Sequence, residues 1–380
     1  MAFLAFALYL VPRNTSPLTS DERAILQQAA TVTGGPTRLF FYVADEQWLQ
    51  PIPVYATALA SVVTPANQAG RVAAAVVGAL DVALMFLLAR RLFSQPLVPV
   101  VTALLLMVTP AHFVHARSGT DAIYLLPFVL VWLINLVAYL RDGREWRAAV
   151  AASALGLGVY TQPAGPVTMA FLLAVMLTAI FISRRGSLRA FAIPVAAFSL
   201  PLALAAVWFA ANPQAYPDTF GRWAIHAAHL RYPLDGVRAF LNWTTLGNRV
   251  SLYWGFFDPS WLFLDGPDLP PTTLRGGAPF LLVTLAMLVV GVRCSLNHRS
   301  SAVATVLVGG LAISPLVAST FGQPHAIESA MAAVPFVVIL AAGGLVGLWS
   351  SERRRWRAVA WAALAACVID FGWFYAAYWR

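Results

Sequence analysis

The chain has 380 residues, of which 60% are hydrophobic and only 11% charged, with a mean hydropathy of +0.72. A soluble domain of this length needs more polar surface than that composition supplies, so a water-soluble globule is excluded. The net charge of +9 does not imply a nucleic-acid partner: all 25 basic residues are Arg, clustered between apolar runs, as membrane topology requires.

In chain order, the opening run from Met1 to Pro12 is too short to cross a hydrocarbon core of about 30 Å alone. It reads as the outer half of a clipped first helix, since a signal peptide would show a basic leader and a small-residue cleavage site. Residues 12–69 form a long polar connection. Within it, Thr19 to Thr33 reads as a helix lying on the membrane: Thr19 and Glu22 have capping-box spacing, and Ile25, Ala29 and Val32 share one face. Ten apolar runs follow, near 70–92, 96–115, 119–140, 147–162, 165–183, 189–211, 276–293, 301–321, 326–350 and 357–378. A second long connection fills 212–275, where Leu252 to Leu264 is aromatic-rich and broken by Pro259, suiting an interfacial or re-entrant segment. The absence of Lys beside abundant Ala and Arg suggests a GC-rich bacterial source. With Cys294 and Cys367 alone, no disulfide framework or Cys-based zinc site is expected.

Charge assigns the connections to sides. Arg90 and Arg91; Arg141, Arg144 and Arg147; Arg184, Arg185 and Arg189; Arg293 and Arg299; and Arg353, Arg354, Arg355 and Arg357 follow alternate helices. The positive-inside rule places these five loops in the cytoplasm and 12–69, 112–121, 161–166, 212–275 and 321–328 outside. The expected architecture is an all-α polytopic membrane protein, one transmembrane domain over 1–380, with about 11 transmembrane helices and interfacial helices in its first external loop.

Ionisable groups gather on the outer side. Asp21 and Glu22 open the first external helix, Asp45 and Glu46 precede Pro51 and Pro53, and Arg117 and Asp121 share the turn between the third and fourth spans. Arg222, Arg231 and Arg238 lie early in the second long loop, and His325 and Glu328 begin the tenth span. Carboxylates beside arginines at a membrane surface suit an enzyme handling a phosphorylated lipid, Arg holding phosphate and a carboxylate taking a hydroxyl proton. Plainer roles exist for several. Asp21 and Glu22 are favourable first-turn acids, Arg117 and Asp121 have i, i+4 ion-pair spacing, and the His112/His115 and His226/His229 pairs read as interfacial rather than metal-binding. Asp81 and Asp370, inside spans, read as facing polar helix neighbours; Gly309–Gly310 and Gly343–Gly344 read as close-packing points. The aromatic group from Trp373 to Trp379 reads as an interface belt.

Several segments together resemble the GT-C superfamily of polyprenyl-phosphate-sugar glycosyltransferases, in the clan of protein O-mannosyltransferases and lipid A aminoarabinose transferases. SDERAILQQA resembles the family's acidic motif at the head of an external helix, and LQPIPVYATAL its Pro-Pro-Leu-Tyr stretch. RVAAAVVGALDVALMFLLARRLF, HFVHARSGTDAIYLLPFVL, FFDPSWLFLDGPDLPPTTLRGGAPF and HAIESAMAAVPFVVILAAGGLVGLW resemble later family segments in order. The resemblance implies Asp21 as catalytic base with Glu22 beside it, Asp45 and Glu46 near a second acidic position, Tyr55 in the Pro-Pro-Leu-Tyr stretch, and Arg117, Arg222 and Arg231 around the leaving phosphate. It implies inverting sugar transfer from a polyprenyl-phosphate donor to an acceptor glycan, lipid or protein, on the external face of a bacterial plasma membrane. The resemblance fixes no cofactor, and a divalent cation stays open because the acids suit either a cation or a base. Three cations common in relatives are absent: Gln50 stands for a Lys, Ile327 and Glu328 for an Arg, and YTQPAGP carries no basic residue. The competing readings are a transporter or flippase of a lipid-linked or amphipathic solute, for which internal repeats are missing, and a catalytically degenerate homologue.

Overall fold

The computed structural model describes residues 1–10, 17–32, 35, 37–43, 47–183, 187–213, 215, 243–264, 278–297, 302–321 and 324–378. Among them helices dominate, as hydropathy requires in a medium where every backbone polar group needs an internal partner. The first elements are α1 (Ala2–Leu10), α2 (Ser20–Val32), a hairpin of β1 (Phe41–Val43) and β2 (Gln47–Leu49), and α3 (Pro51–Ser61). Phe41 pairs with Leu49 and Val43 with Gln47 in an antiparallel register. Then come α4 (Ala66–Leu92), α5 (Val98–Val108), α6 (Pro110–His115), a 3-10 turn at Ala122–Leu125, α7 (Leu126–Asp142), α8 (Glu145–Gly158), α9 (Gly165–Ile182) and α10 (Leu188–Ala211). The remainder comprises α11 (Trp243–Phe256), α12 (Pro259–Phe263), α13 (Leu282–Asn297), α14 (Ala302–Ile313), α15 (Leu316–Phe321), α16 (Ala333–Trp349) and α17 (Arg354–Tyr378).

Among the described residues, six helical stretches are long and apolar enough to span a bilayer: Ala66–Leu92, Ala122–Asp142, Gly165–Ile182, Leu188–Ala211, Ala302–Thr320 and Arg354–Tyr378. Three shorter apolar helices, Val98–Val108, Leu282–Leu296 and Ala333–Trp349, complete the apolar set. Three spans expected to be continuous are interrupted. Pro110 starts a new helix after Thr109, Ser314 and Pro315 separate α14 from α15, and residues 324–332 turn before α16 begins. Proline at a helix start removes a donor that has no partner there anyway.

α7 and α16 fill the centre, and Trp132 and Phe336 meet edge to face at 6.3 Å. α10 and α17 lie outermost, showing Leu188, Val195, Leu200, Leu204, Val207, Val368, Ile369 and Trp373 to the lipid. α13 and α16 touch backbone to backbone, because a methyl group on Gly291 would strike the Leu340 carbonyl and one on Gly344 the Met287 carbonyl. Small residues allow such an approach in lipid, where apolar burial gives helices no mutual attraction.

The bundle has two chemically distinct ends. At the arginine end, Arg91 Nη1 donates to the Ile134 carbonyl (3.3 Å), and Asp142 accepts from Arg147 Nη1 (2.6 Å). At the other end, the turns carrying Glu22, Arg71, Gly119, Asp121 and Glu328 meet.

Candidate functional site

The neighbouring acids at the head of α2 have separate fates. α2 forms where the capping box predicts: Glu22 N–H donates to Thr19 Oγ1 (3.1 Å), and Thr19 N–H donates to Glu22 Oε2 (2.9 Å). Ile25 and Ala29 are buried against Phe41, Val54 and Ala58 of the hairpin and α3, which fixes how α2 is rotated. Glu22 therefore points inward and is only 4% exposed. There Arg71, in the first turns of α4, grips it through Nε to Oε1 (2.8 Å) and Nη2 to Oε2 (2.9 Å). Gly119 N–H adds a bond to Oε1 (2.9 Å). Burial alone would raise this carboxyl, but the Arg71, Thr19 and Gly119 bonds outweigh it and hold it below the usual carboxylate range. A side chain at 119 would crowd the Gly70 backbone 3.0 Å away, so glycine keeps that donor within reach.

Asp21, one residue earlier, is exposed and, among the described residues, receives only the Ser20 hydroxyl at 3.3 Å. It faces two other acids. Asp121, at the start of the 3-10 turn, is pushed up to about 7, first by burial, then by the charges of Glu328 and Asp21. Glu328, in the turn before α16, is raised by the surrounding protein and then by Asp21, although its side chain reaches solvent. Three carboxylates from three distant segments thus lie close enough for charge to be felt between them, which helps hold protons on Asp121 and Glu328.

The other expected site residues have different surroundings. Arg117 is 2% exposed; its Nη1 donates to the Leu8 and Tyr9 carbonyls (3.1 and 2.8 Å), closing the end of α1, and its guanidinium lies over Phe113 and Tyr378. In this place it serves as a helix cap. Tyr55 Oη donates to the Arg38 carbonyl (2.7 Å) and accepts from Arg38 N–H (3.1 Å), pinning the first loop. His325, at φ 55°, stacks on Trp261 at 4.9 Å, with Asp258 close enough to feel its charge. Asp45, Glu46, Arg222 and Arg231 lie outside the described residues. Among the described residues, no group of three or more His, Cys, Asp or Glu side chains is placed to hold a metal ion.

Arg71 and Gly119 escaped the sequence reading, although an arginine in the first turns of an apolar span was a visible signal. A second polar group lies deep in the bundle. Asp81 of α4 stands 3.4 Å from His112 Nε2, and His112 Nδ1 meets Tyr9 Oη at 3.1 Å. All three are buried, so Asp81 faces a polar neighbour as a span acid should. Asp370 does likewise, accepting from Leu282 N–H (2.7 Å) at the start of α13.

The sequence model of the dolichyl-phosphate-mannose-protein mannosyltransferase family matches residues 50–210. No curated protein sequence matches the chain. The fold is similar to the Archaeoglobus fulgidus oligosaccharyltransferase in its complex with zinc and sulfate, at TM-score 0.54 and 15% identity over 99% of this chain and 53% of that one. The chain thus spans about half the length of that protein. ArnT from Cupriavidus metallidurans bound to undecaprenyl phosphate aligns at TM-score 0.47 and 13% identity, over 91% of this chain and 77% of that one. The family match and the shared fold bear out the resemblance to GT-C glycosyltransferases.

Proposed function

We propose that this polytopic membrane protein is a GT-C-type glycosyltransferase. It moves a sugar from a polyprenyl-phosphate donor to an acceptor hydroxyl on a glycan, lipid or protein, with inversion. The recess at the acidic end is taken to face the outside of a bacterial plasma membrane. The observation that carries this reading is the convergence of Asp21, Asp121 and Glu328 beside a fully engaged Glu22. The match over residues 50–210 to a family named for a polyprenyl-phosphate sugar supports the donor class.

The chemistry follows from what each acid can still do. Glu22 has its carboxylate filled by Arg71, Thr19 and Gly119, so it holds the recess together and leaves the proton transfer to Asp21. Asp21 takes the acceptor proton as the acceptor oxygen bonds to the anomeric carbon. The bond from that carbon to the phosphate oxygen breaks, and its electrons leave on the polyprenyl phosphate. A positioned carboxylate base contributes roughly 10²–10⁴-fold. Asp121, titrating near 7, is partly protonated at neutral pH, which relieves repulsion on Asp21 and offers a hydrogen-bond donor to a substrate oxygen. Arg222 and Arg231 remain the proposed partners of the leaving phosphate. Charge compensation there is the main electrostatic aid to its departure.

The test is transfer of radiolabelled sugar from polyprenyl-phosphate donors into membrane material by wild type and by Asp21→Asn, each checked for amount and thermal unfolding. Transfer by wild type and its loss in the folded variant are expected. Undiminished transfer by Asp21→Asn sinks the assignment of the base, and wild type inert with every donor sinks the enzyme.

A further inference from the structure

We propose that the arginine end of the bundle holds one anionic glycerophospholipid. An acyl chain enters the cavity between α5 and α16, and the lipid phosphate rests on the arginines that open α17. The site lies at the opposite end from the acids and stands apart from the sugar-transfer reading. The cavity measures about 250 Å³, and its apolar wall is formed by Pro96, Leu97, Val98, Val346 and Trp349. Engineered apolar cavities of ~150 Å³ stay dry and take up benzene, so water is a poor occupant for such a wall. In a bilayer the apolar material at hand is a lipid tail.

The mouth lies among exposed residues. Leu97 is 55% exposed, and Gln95 and Ser350 are joined there by a bond from Nε2 to Oγ at 3.4 Å. The wall is set before a lipid arrives. Phe93 stands 3.9 Å from where a methyl group on Gly343 would lie, which keeps the connection at 93–97 against α16. Trp349 packs edge-on against Trp361 of α17 at 4.7 Å. That contact lays α17 beside the cavity, and Arg353 follows Ser350 by three residues.

The head of α17 supplies the charge. Arg353, Arg354, Arg355 and Arg357 are all exposed, and among the described residues none of them makes an ion pair. Other arginines at this end are engaged, Arg147 by Asp142 and Arg91 by the Ile134 carbonyl. A helix N-terminus is itself positive, so cations gathered there are unfavourable until an anion joins them. A phosphodiester supplies that anion, while Trp356 and Trp361, at 40% and 56% exposure, suit the headgroup level. Free phosphate would answer the charge and leave the apolar wall empty. A zwitterionic lipid would fill the wall but bring its own cation to the arginines.

The test is native mass spectrometry of the full chain released from phosphatidylcholine bilayers that hold increasing phosphatidylglycerol. One phosphatidylglycerol should be retained, saturably, at least tenfold above its share of the bilayer, and an excess of inorganic phosphate should not displace it. Arg353→Gln and Arg354→Gln should each cut that enrichment about fivefold. Val346→Phe, which fills the cavity and leaves the arginines in place, should abolish retention. Tm of wild type should rise with the phosphatidylglycerol fraction, and Tm of Val346→Phe should not. Leu97→Trp, which narrows the mouth from an exposed position, should also abolish retention and serves if Val346→Phe does not fold. Retention that merely follows bilayer composition overturns the site. Retention unchanged by both cavity variants, or displacement by inorganic phosphate, overturns it equally, since the arginines alone would then account for the lipid.

Discussion

The protein keeps ionisable groups in two places, and the solvent around them sets what they can do. At the acidic end, Asp21, Asp121 and Glu328 all keep some contact with water, and burial first, then the neighbouring carboxylates, raises Asp121 and Glu328. Within the bundle, Asp81, His112 and Tyr9 are also ionisable, but sealed from solvent and facing one another. A charge with access but few partners is poised for chemistry, whereas one with partners but no access is a structural tie.

The contrast is sharpest in catalysis. Asp21→Asn should lower transfer about 10³-fold, while Asp81→Asn, read in the same sugar-transfer assay, should leave it within about threefold and cost on the order of 1 kcal/mol. Equal losses from both would erase the distinction. Next is the tie at the acidic end itself. Glu22→Gln leaves Arg71 without its bidentate partner and should cost about 3 kcal/mol in thermal unfolding. Adding Arg71→Met should restore part of that loss, since the cycle removes the stranded charge. Full additivity would mean the pair is not coupled.

The smallest expected effect is on pH. The raised Asp121 keeps a proton in the fold that the unfolded chain releases near pH 4. That contribution is fully present below the unfolded value and is lost as pH rises through about 7, so Tm should fall between about pH 4 and 7. Asp121→Asn should flatten this slope. Glu22 acts in the opposite sense, because a lowered carboxyl supports the fold above its unfolded value and loses that support in acid. A slope unchanged in Asp121→Asn would move the shared proton to Glu328.

What the sequence disclosed divides by range. The α2 helix and its buried face followed from Thr19, Glu22, Ile25 and Ala29, because capping and helical periodicity act within a few residues. The spans followed from hydropathy, but their breaks at Pro110, at Ser314–Pro315 and over 324–332 did not. Apolar residues inside a bundle read alike whether the backbone is helical or turned, so long as neighbours complete its hydrogen bonds. The acidic recess was legible as a list of external acids. That Glu22 turns inward while Asp21 faces Asp121 depends on contacts with Arg71 and Gly119, which no local pattern records. Arg117 shows the same limit, because its partners on α1 are more than 100 residues away in the chain.

The Glu22 carboxylate also orders events in time. Its partners Arg71 and Gly119 are synthesised 49 and 97 residues after it. At about 5–20 residues per second, the last partner emerges roughly 5–20 s later. Until then α2 has its own capping box but no anchor on the bundle. The ties of Glu22 are therefore complete only when the chain has crossed the membrane again to deliver the turn at Gly119, and the group of acids waits longer still for Glu328.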